Sequence, residues 1–386
     1  MNPTKLNQSL LFRKCSQKKS LSPTGYSTNI TRVQPRVAGI ATALPLCSIK
    51  QEVAEGIAAR WLSRCVSTPE VSIPKAIQIF RNAGVDTRYS VLPVEEIPEE
   101  RDFREKNLLY MKYGTALGER ALKSVFEKTG ITPMEIDLFI TVSCTGFMIP
   151  SLDAHLMNCF PFRSNVRRLP VAELGCAAGV SSLIMASDYI RAYPDSNVLI
   201  LSLELCTLNI QPADTSADHV ISTALFGDGA AAAIVTGKAG HGLHMLSTAN
   251  RFFPRTLDFM GYDVETTGLH IFLSPEIPRF ILQNISPQME SILAETGLSV
   301  EDIDSWLFHP GSSRILKALE KGLDIEGGKL TESTEVLRNY GNLSSATIFF
   351  IIDTYLRNER KQSGSYQVIG AVGPGFGFDT VLTQWE

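Results

Sequence analysis

The chain lacks any run of the ~18 or more apolar residues that a membrane-spanning helix requires, so no such span is expected. It lacks an excess of either charge: a formal net charge of -4 over 386 residues excludes a global attraction to nucleic acid. Its seven cysteines (Cys15, Cys47, Cys65, Cys144, Cys159, Cys176 and Cys206) include no C-x-x-C pair and no zinc-like spacing. An odd number cannot all pair within one chain, and a reducing compartment is the simpler expectation. Positions 1–36 lack any Asp or Glu and lack a continuous apolar stretch, which argues against a secretory signal.

What that first segment does hold is Lys5, Arg13, Lys14, Lys18, Lys19, Arg32, Arg36 and several serines. Such a stretch has little to bury, and a disordered basic tail over 1–36 is expected. A transit peptide has similar composition, so a cytoplasmic location is expected with organellar import left open. The chain as a whole is 44% apolar with ordinary Gly and Pro content, as in a globular protein of one large domain or two.

Order should begin with a strand at Val37–Pro45. Helical spacing follows at Val53–Cys65, Ile73–Asn82 and Lys112–Thr129, the last stopped by Gly130. Ile136–Val142, Asn197–Leu203 and Ala230–Val235 read as continuous apolar strands buried on both faces. The chain also echoes itself. Gly130-Ile131-Thr132-Pro133-Met134-Glu135-Ile136-Asp137 and Gly297-Leu298-Ser299-Val300-Glu301-Asp302-Ile303-Asp304 each follow an amphipathic helix (Lys112–Lys128, Ile281–Thr296) and each lead into an apolar strand. This predicts an α/β chain of two similar halves, 37–240 and 241–386.

Four segments carry candidate chemistry. In Glu173-Leu174-Gly175-Cys176-Ala177-Ala178-Gly179, Cys176 sits between a strand and a buried helix. The helix N-terminus favours a thiolate there, so Cys176 is either an activated nucleophile or a small core cysteine at a turn. His309 ends the strand Trp306-Leu307-Phe308 before Pro310-Gly311, facing a pocket or the core. Asn342, in Tyr340-Gly341-Asn342-Leu343-Ser344-Ser345-Ala346, is either a helix N-cap or a donor to a ligand. Ile369–Phe378 is a strand running into Gly373-Pro374-Gly375-Phe376-Gly377, where backbone can approach a ligand or another loop; it lacks a Walker lysine and a following helix, so a phosphate-binding P-loop is a poor fit. A thiol that holds an acyl group, with His and Asn donating to one developing enolate oxygen, suits a decarboxylating Claisen condensation. Papain-like proteases use the same three residue types, but a duplicated α/β body does not resemble theirs.

Those segments, together with Leu225-Phe226-Gly227-Asp228-Gly229 and Thr145-Gly146-Phe147-Met148-Ile149-Pro150-Ser151, resemble the type III polyketide synthases, the chalcone synthase-like family of the thiolase superfamily. The likeness covers roughly residues 37–386. It implies a five-layered αβαβα fold, a homodimer and an acyltransferase that uses malonyl-CoA and acyl-CoA without metal or organic cofactor. It implies that Cys176 carries the acyl chain, paired as a thiolate with His309, and that His309 and Asn342 drive decarboxylation. Phe226 matches one gatekeeper, and Ile271, beside Phe272, falls at the other. Lys75 matches a basic residue that meets the CoA phosphates. Its basic neighbours are replaced by Gln78 and Asn82, leaving Arg81, Arg88 or Arg314 to substitute. The cavity residues implied are Cys144, Thr145, Met148, Ile149, Cys206, Asn209, Tyr262, Leu269, Ile271, Gly311 and Ser344. The small Cys206 resembles enzymes with fatty acyl starters, so an alkylpyrone or alkylresorcinol product is expected. The alternatives are a malonyl-only synthase that makes a simple phenol or naphthalene, and a ketoacyl synthase III that stops after one condensation.

Overall fold

The computed structural model describes residues 33–325, 327–359 and 361–386. The expected tail lies outside the described residues up to position 32. Its last residue is a correction: Arg36 opens the first strand, and its guanidinium donates to the carbonyls of Lys238 (2.8 Å), His241 (2.9 Å) and Ala239 (3.3 Å).

The strands are β1 (Arg36–Ala43), β2 (Cys47–Lys50), β3 (Thr87–Ser90), β4 (Leu138–Val142), β5 (Arg167–Val171), β6 (Asn197–Leu205), β7 (Asp228–Thr236), β8 (Leu243–Phe252), β9 (Met260–Glu265), β10 (Gly268–Leu273), β11 (Ile303–Phe308), β12 (Tyr366–Gly373) and β13 (Gly377–Trp385). The helices are α1 (Gln51–Cys65), α2 (Pro69–Asn82), α3 (Phe103–Thr129), α4 (Leu152–Met157), α5 (Ala178–Ala192), α6 (Ala217–Leu225), α7 (Ile277–Ala294), α8 (Ser313–Leu323), α9 (Thr331–Tyr340) and α10 (Thr347–Arg357). None of the described helices is long and apolar enough to cross a membrane.

The large sheet runs β11-β12-β13-β8-β1-β7-β6-β4-β5. Its two wings meet at a narrow seam, where β1 and β8 pair only through Arg36↔His244 and Val37↔Leu243. The strands β4, β6 and β7 are buried at every position, which is why their sequences are unbroken apolar runs without alternation. Between the wings lie α5 and α10. The first touches β4, β6 and β7 of one wing and β12 and β13 of the other; the second touches β1 and β7 as well as β11 and β12. Both helices are therefore apolar on nearly all sides, as a helix enclosed by two sheets must be. Outside, α3 covers β1, β6 and β7, while α7, with α8 against it, covers the β8 side. The result is the expected five-layered αβαβα arrangement.

The sequence echo is visible in the backbone. The turn after α3 uses Gly130 at φ 69° and the turn after α7 uses Gly297 at φ 74°, before β4 and β11 respectively. One boundary differs: α3 begins at Phe103, nine residues before the expected start at Lys112. Asp102 and Glu105 form a reciprocal capping box there, and the charged first turns hide the apolar periodicity.

Candidate active site

Strand β5 ends at Val171, a single 3-10 turn spans Gly175–Ala177, and α5 follows at once. Cys176 sits in that turn, as the sequence predicts. Gly175 has φ 50°, and a Cβ there would lie 2.6 Å from Pro374 Cδ. The glycine-rich 373–377 turn is thus a packing surface against the cysteine elbow. Cys176 opens on a cavity of about 300 Å3, walled by the β9–β10 hairpin (Tyr262, Leu269, Ile271), Cys144, Phe226 and Ser344.

Ser344 links the site. It has φ 49°, unusual for a residue with a side chain and a frequent mark of a functional position. Its hydroxyl lies 3.5 Å from Cys176 Sγ and 3.6 Å from Cys144 Sγ. Its N–H donates to Asn342 Oδ1 (2.8 Å), while Asn342 Nδ2 donates to the carbonyl of Gly311 (3.0 Å). The two bonds fix which way the amide points. Among the described residues only one of the two Nδ2 hydrogens has a partner, and neither Asn342 nor His309 is itself a wall of the cavity at Cys176. His309 stands two residues before Gly311. It is buried, and neither ring nitrogen has a hydrogen-bond partner among the described residues.

Beneath the cysteines lies Glu204, fully buried on β6. Its carboxylate accepts from Cys144 N–H (3.1 Å), Thr145 Oγ1 (2.8 Å) and the Ser345 hydroxyl. It ties the Cys144 loop to the Ser344 loop. Sequence reasoning missed it, although a lone carboxylate in Leu199-Ile200-Leu201-Ser202-Leu203-Glu204-Leu205 was a usable signal.

Burial sets the protonation states. It raises the Cys176 thiol to about 11, with the Glu204 charge adding to the effect and the Ser344 hydrogen bond opposing it. It also raises Cys144 and Cys206, and it lowers His309 to about 4. The expected thiolate–imidazolium pair is not formed in this structure. Cys176 has Ser344 rather than His309 as its side-chain partner, and without a mutual contact each buried group is favoured in its neutral form.

The other candidates divide. Cys144, Phe226, Ile271 and Ser344 line the cavity with Cys176. Cys206 and Asn209 line a smaller adjoining space, of about 20 Å3, that shares Phe226, Tyr262, Leu269 and Ile271 with it. Thr145 is a correction. It is buried, and its hydroxyl braces Glu204 and the N–H of Leu205 without facing the cavity. Ile149 does not line this chain's own cavity and is 97% exposed on the single chain. Gly311 contributes its carbonyl to Asn342 and is not a cavity wall. Lys75 is exposed on α2, away from the cavity. Of its possible substitutes, Arg81 is exposed and paired with Glu55, Arg314 is exposed on α8, and Arg88 is buried inside the fold, where it cannot meet a phosphate at the surface.

Comparison with known proteins gives a consistent set of relatives. Residues 244–385 match the family "Chalcone and stilbene synthases, C-terminal domain", and residues 84–245 match "FAE1/Type III polyketide synthase-like protein". The chain is 33% identical over 325 residues to the 1,3,6,8-tetrahydroxynaphthalene synthase of Streptomyces coelicolor, covering 84% of this chain and 87% of that one. It is 31% identical over 320 residues to the phloroglucinol synthase of Pseudomonas fluorescens, covering 82% and 90%. The crystal structure of the Streptomyces coelicolor enzyme superposes with a TM-score of 0.87 at 31% identity, over 91% of this chain and 99% of that one.

Proposed function

The chain belongs to the type III polyketide synthase family, and from that premise we propose that it builds a polyketide from malonyl-CoA on Cys176, with malonyl-CoA as starter as well as extender. Cys176 sulfur attacks the starter thioester; an S-acyl bond forms, the bond to the CoA sulfur breaks, and the thiol proton passes to that sulfur, so CoA departs as the free thiol. A second malonyl-CoA then loses its carboxylate as CO2. The enolate oxygen that develops receives one hydrogen bond from His309 and one from the unused Asn342 amide hydrogen. The enolate carbon attacks the Cys176 thioester and releases the thiolate for the next cycle. Because burial without an ionic partner favours neutral His309, its role is that of a hydrogen-bond donor. The observation that carries this reading is the tethered Asn342 amide, held at both ends with one hydrogen unpartnered among the described residues, on the loop whose Ser344 touches Cys176.

The starter reading departs from the fatty acyl chain expected from Cys206. The relatives are named for tetrahydroxynaphthalene and phloroglucinol, which are compact aromatic products. A main cavity of about 300 Å3 lies at the lower end of the ~300–1,000 Å3 usual for small-molecule sites and suits a product of that kind. Beside Cys206 there is only about 20 Å3 of space, and a long alkyl chain would have to move Phe226, Tyr262 or Ile271 to extend there.

The functional unit in this reading is a homodimer of chains whose halves, 37–240 and 241–386, arose by duplication. The exposed edge of β5, which carries Arg167 and Arg168 as well as Leu169, and the nearby exposed Ile149, joined through the Arg168–Ser151 hydrogen bond (2.8 Å), offer an edge for self-docking. Mass spectrometry of products from malonyl-CoA, alone and with acyl-CoAs from acetyl to palmitoyl, tests the whole reading. Aromatic products from malonyl-CoA alone are expected. Pyrones or resorcinols made only with long starters would restore the fatty acyl assignment, and single β-ketoacyl products on a carrier protein would assign a ketoacyl synthase III.

A further inference from the structure

Behind Phe226 lies a third space, of about 40 Å3, lined mainly by apolar side chains such as Ile57, Trp61, Phe80 and Ile97. Phe226 is common to this chamber, to the small space beside Cys206 and to the cavity at Cys176. One aromatic ring therefore stands at the junction of all three.

One charged side chain lines the chamber. Arg88, on the short strand β3, is 4% exposed. Its partners are neutral: Nη1 donates to the carbonyl of Thr223 (3.1 Å), Nη2 donates to Gln51 Oε1, and the guanidinium lies 5.6 Å from the centre of the Phe80 ring. Nε is buried with no partner, and no carboxylate among the described residues lies within 4 Å. Burial lowers its pKa only to about 10, so it stays charged at neutral pH. A buried cation without a counter-charge is costly and is rarely retained unpaired. An apolar chamber holding such a cation is complementary to a chain that is apolar along its length and anionic at its end. The space is sufficient for a carboxylate, since ~10–15 Å3 by the same measure holds a water molecule.

We propose that this chamber receives the carboxylate-terminated end of an acyl chain attached to Cys176, with the carboxylate paired to Arg88 and Phe226 turning aside to admit it. The inference rests on the thioester role of Cys176 given above. Chain growth inserts each two-carbon unit at the sulfur end, so the starter end moves away from Cys176 with every cycle. When the starter is malonyl, that end is a carboxylate. The same chamber rejects an alkyl tail, which would desolvate the guanidinium and return no compensating charge.

The test compares starters of equal carbon count on the native enzyme: succinyl- against butyryl-CoA, glutaryl- against pentanoyl-CoA, adipoyl- against hexanoyl-CoA and suberoyl- against octanoyl-CoA. Acylation of Cys176 is followed by intact-protein mass and reported as kcat/KM for loading. The expected result is a preference of at least tenfold for the dicarboxylic member at one or more lengths. A smaller preference at every length overturns the proposal. Arg88→Met, close in shape and uncharged, is expected to reduce that ratio at least tenfold, with Arg88→Lys retaining part of it; an unchanged ratio in a folded Arg88→Met protein also overturns it. Should the methionine variant not fold, the native series decides by itself. Loading by neutral starters alone defeats this inference but leaves the polyketide synthase mechanism standing. Absence of acylation by every starter defeats the thioester mechanism itself.

Discussion

The substitution Asn342→Asp replaces an amide by a carboxyl group and tests the decarboxylation chemistry with little change of shape. The native amide has two hydrogens: the Gly311 carbonyl takes one at 3.0 Å, and the other, without a partner among the described residues, is the one assigned to the substrate in the proposed mechanism. As a carboxylate, the substituted side chain would have no hydrogen to give and would set a negative charge beside a developing enolate. As a neutral acid it would have a single proton, which the Gly311 carbonyl would claim. Either way the enolate oxygen is left with His309 alone. Loss of one preorganised oxyanion donor costs ~100–1,000-fold in rate, or ~2.7–4 kcal/mol. The acceptor for the Ser344 N–H is kept, so the Ser344 backbone and its 3.5 Å contact with Cys176 should persist. The variant should therefore release CO2 from malonyl-CoA, without added starter, at about 100–1,000-fold below the native rate, while Cys176 is acylated within about threefold of native. CO2 release within tenfold of native would refute the donor role. A parallel fall in acylation would make Asn342 a strut for the Ser344 loop.

His309 predicts a pH effect. Its folded pKa of about 4, against an ordinary value near 6.5, means that the unfolded chain takes up the proton first. Its contribution is full above pH 6.5 and is lost as the pH falls toward 4. Between pH 7 and pH 4.5, His309→Gln should lose about 2 kcal/mol less unfolding free energy than the native protein in urea titrations, and equal losses would contradict the assignment. In Gly179→Ala, the new methyl group would lie 2.3 Å from the Ser345 carbonyl oxygen and 2.6 Å from Ile348 Cγ2. Forcing α5 and α10 apart should cost at least ~1–3 kcal/mol in denaturant midpoint analysis and weaken malonyl-CoA turnover; an unchanged midpoint would show that the helices can yield. Cys176→Ala should abolish the acyl-enzyme adduct in intact-protein mass spectra and still release CO2 from malonyl-CoA; retained polyketide output would rule out the thioester.

Much of this architecture was legible because buried strands and glycine turns leave strong marks. The apolar runs at Ile136–Val142 and Asn197–Leu203 pointed to an α/β body, and the paired turns at Gly130 and Gly297 each lie between a helix and a buried strand. The Cys176 elbow was legible for the same reason. What stayed hidden depends on direction and depth, which spacing does not encode. Thr145 adjoins Cys144 yet turns inward to Glu204, and Ile149 is exposed on the single chain. Arg88 looked like a candidate for surface phosphates because arginine is usually exposed, but Thr87–Ser90 is buried almost throughout and carries it under α2 toward Phe80. A direct Cys176–His309 contact was not readable either way from spacing: Cys176 meets Ser344, and His309 has no hydrogen-bond partner among the described residues.

The seam between the wings has a consequence for how the protein is made. Arg36, at the start of β1, finds its strand partner only when Thr236 has been synthesised, and β8 finds β13 only when Trp385 has reached Leu243. Non-local pairing of this kind assembles late. Cys176 is translated in the middle of the chain, but Ser344, which fixes its sulfur, arrives close to the end. A nascent chain, or one that stops early, therefore exposes a thiol with no decarboxylating partner.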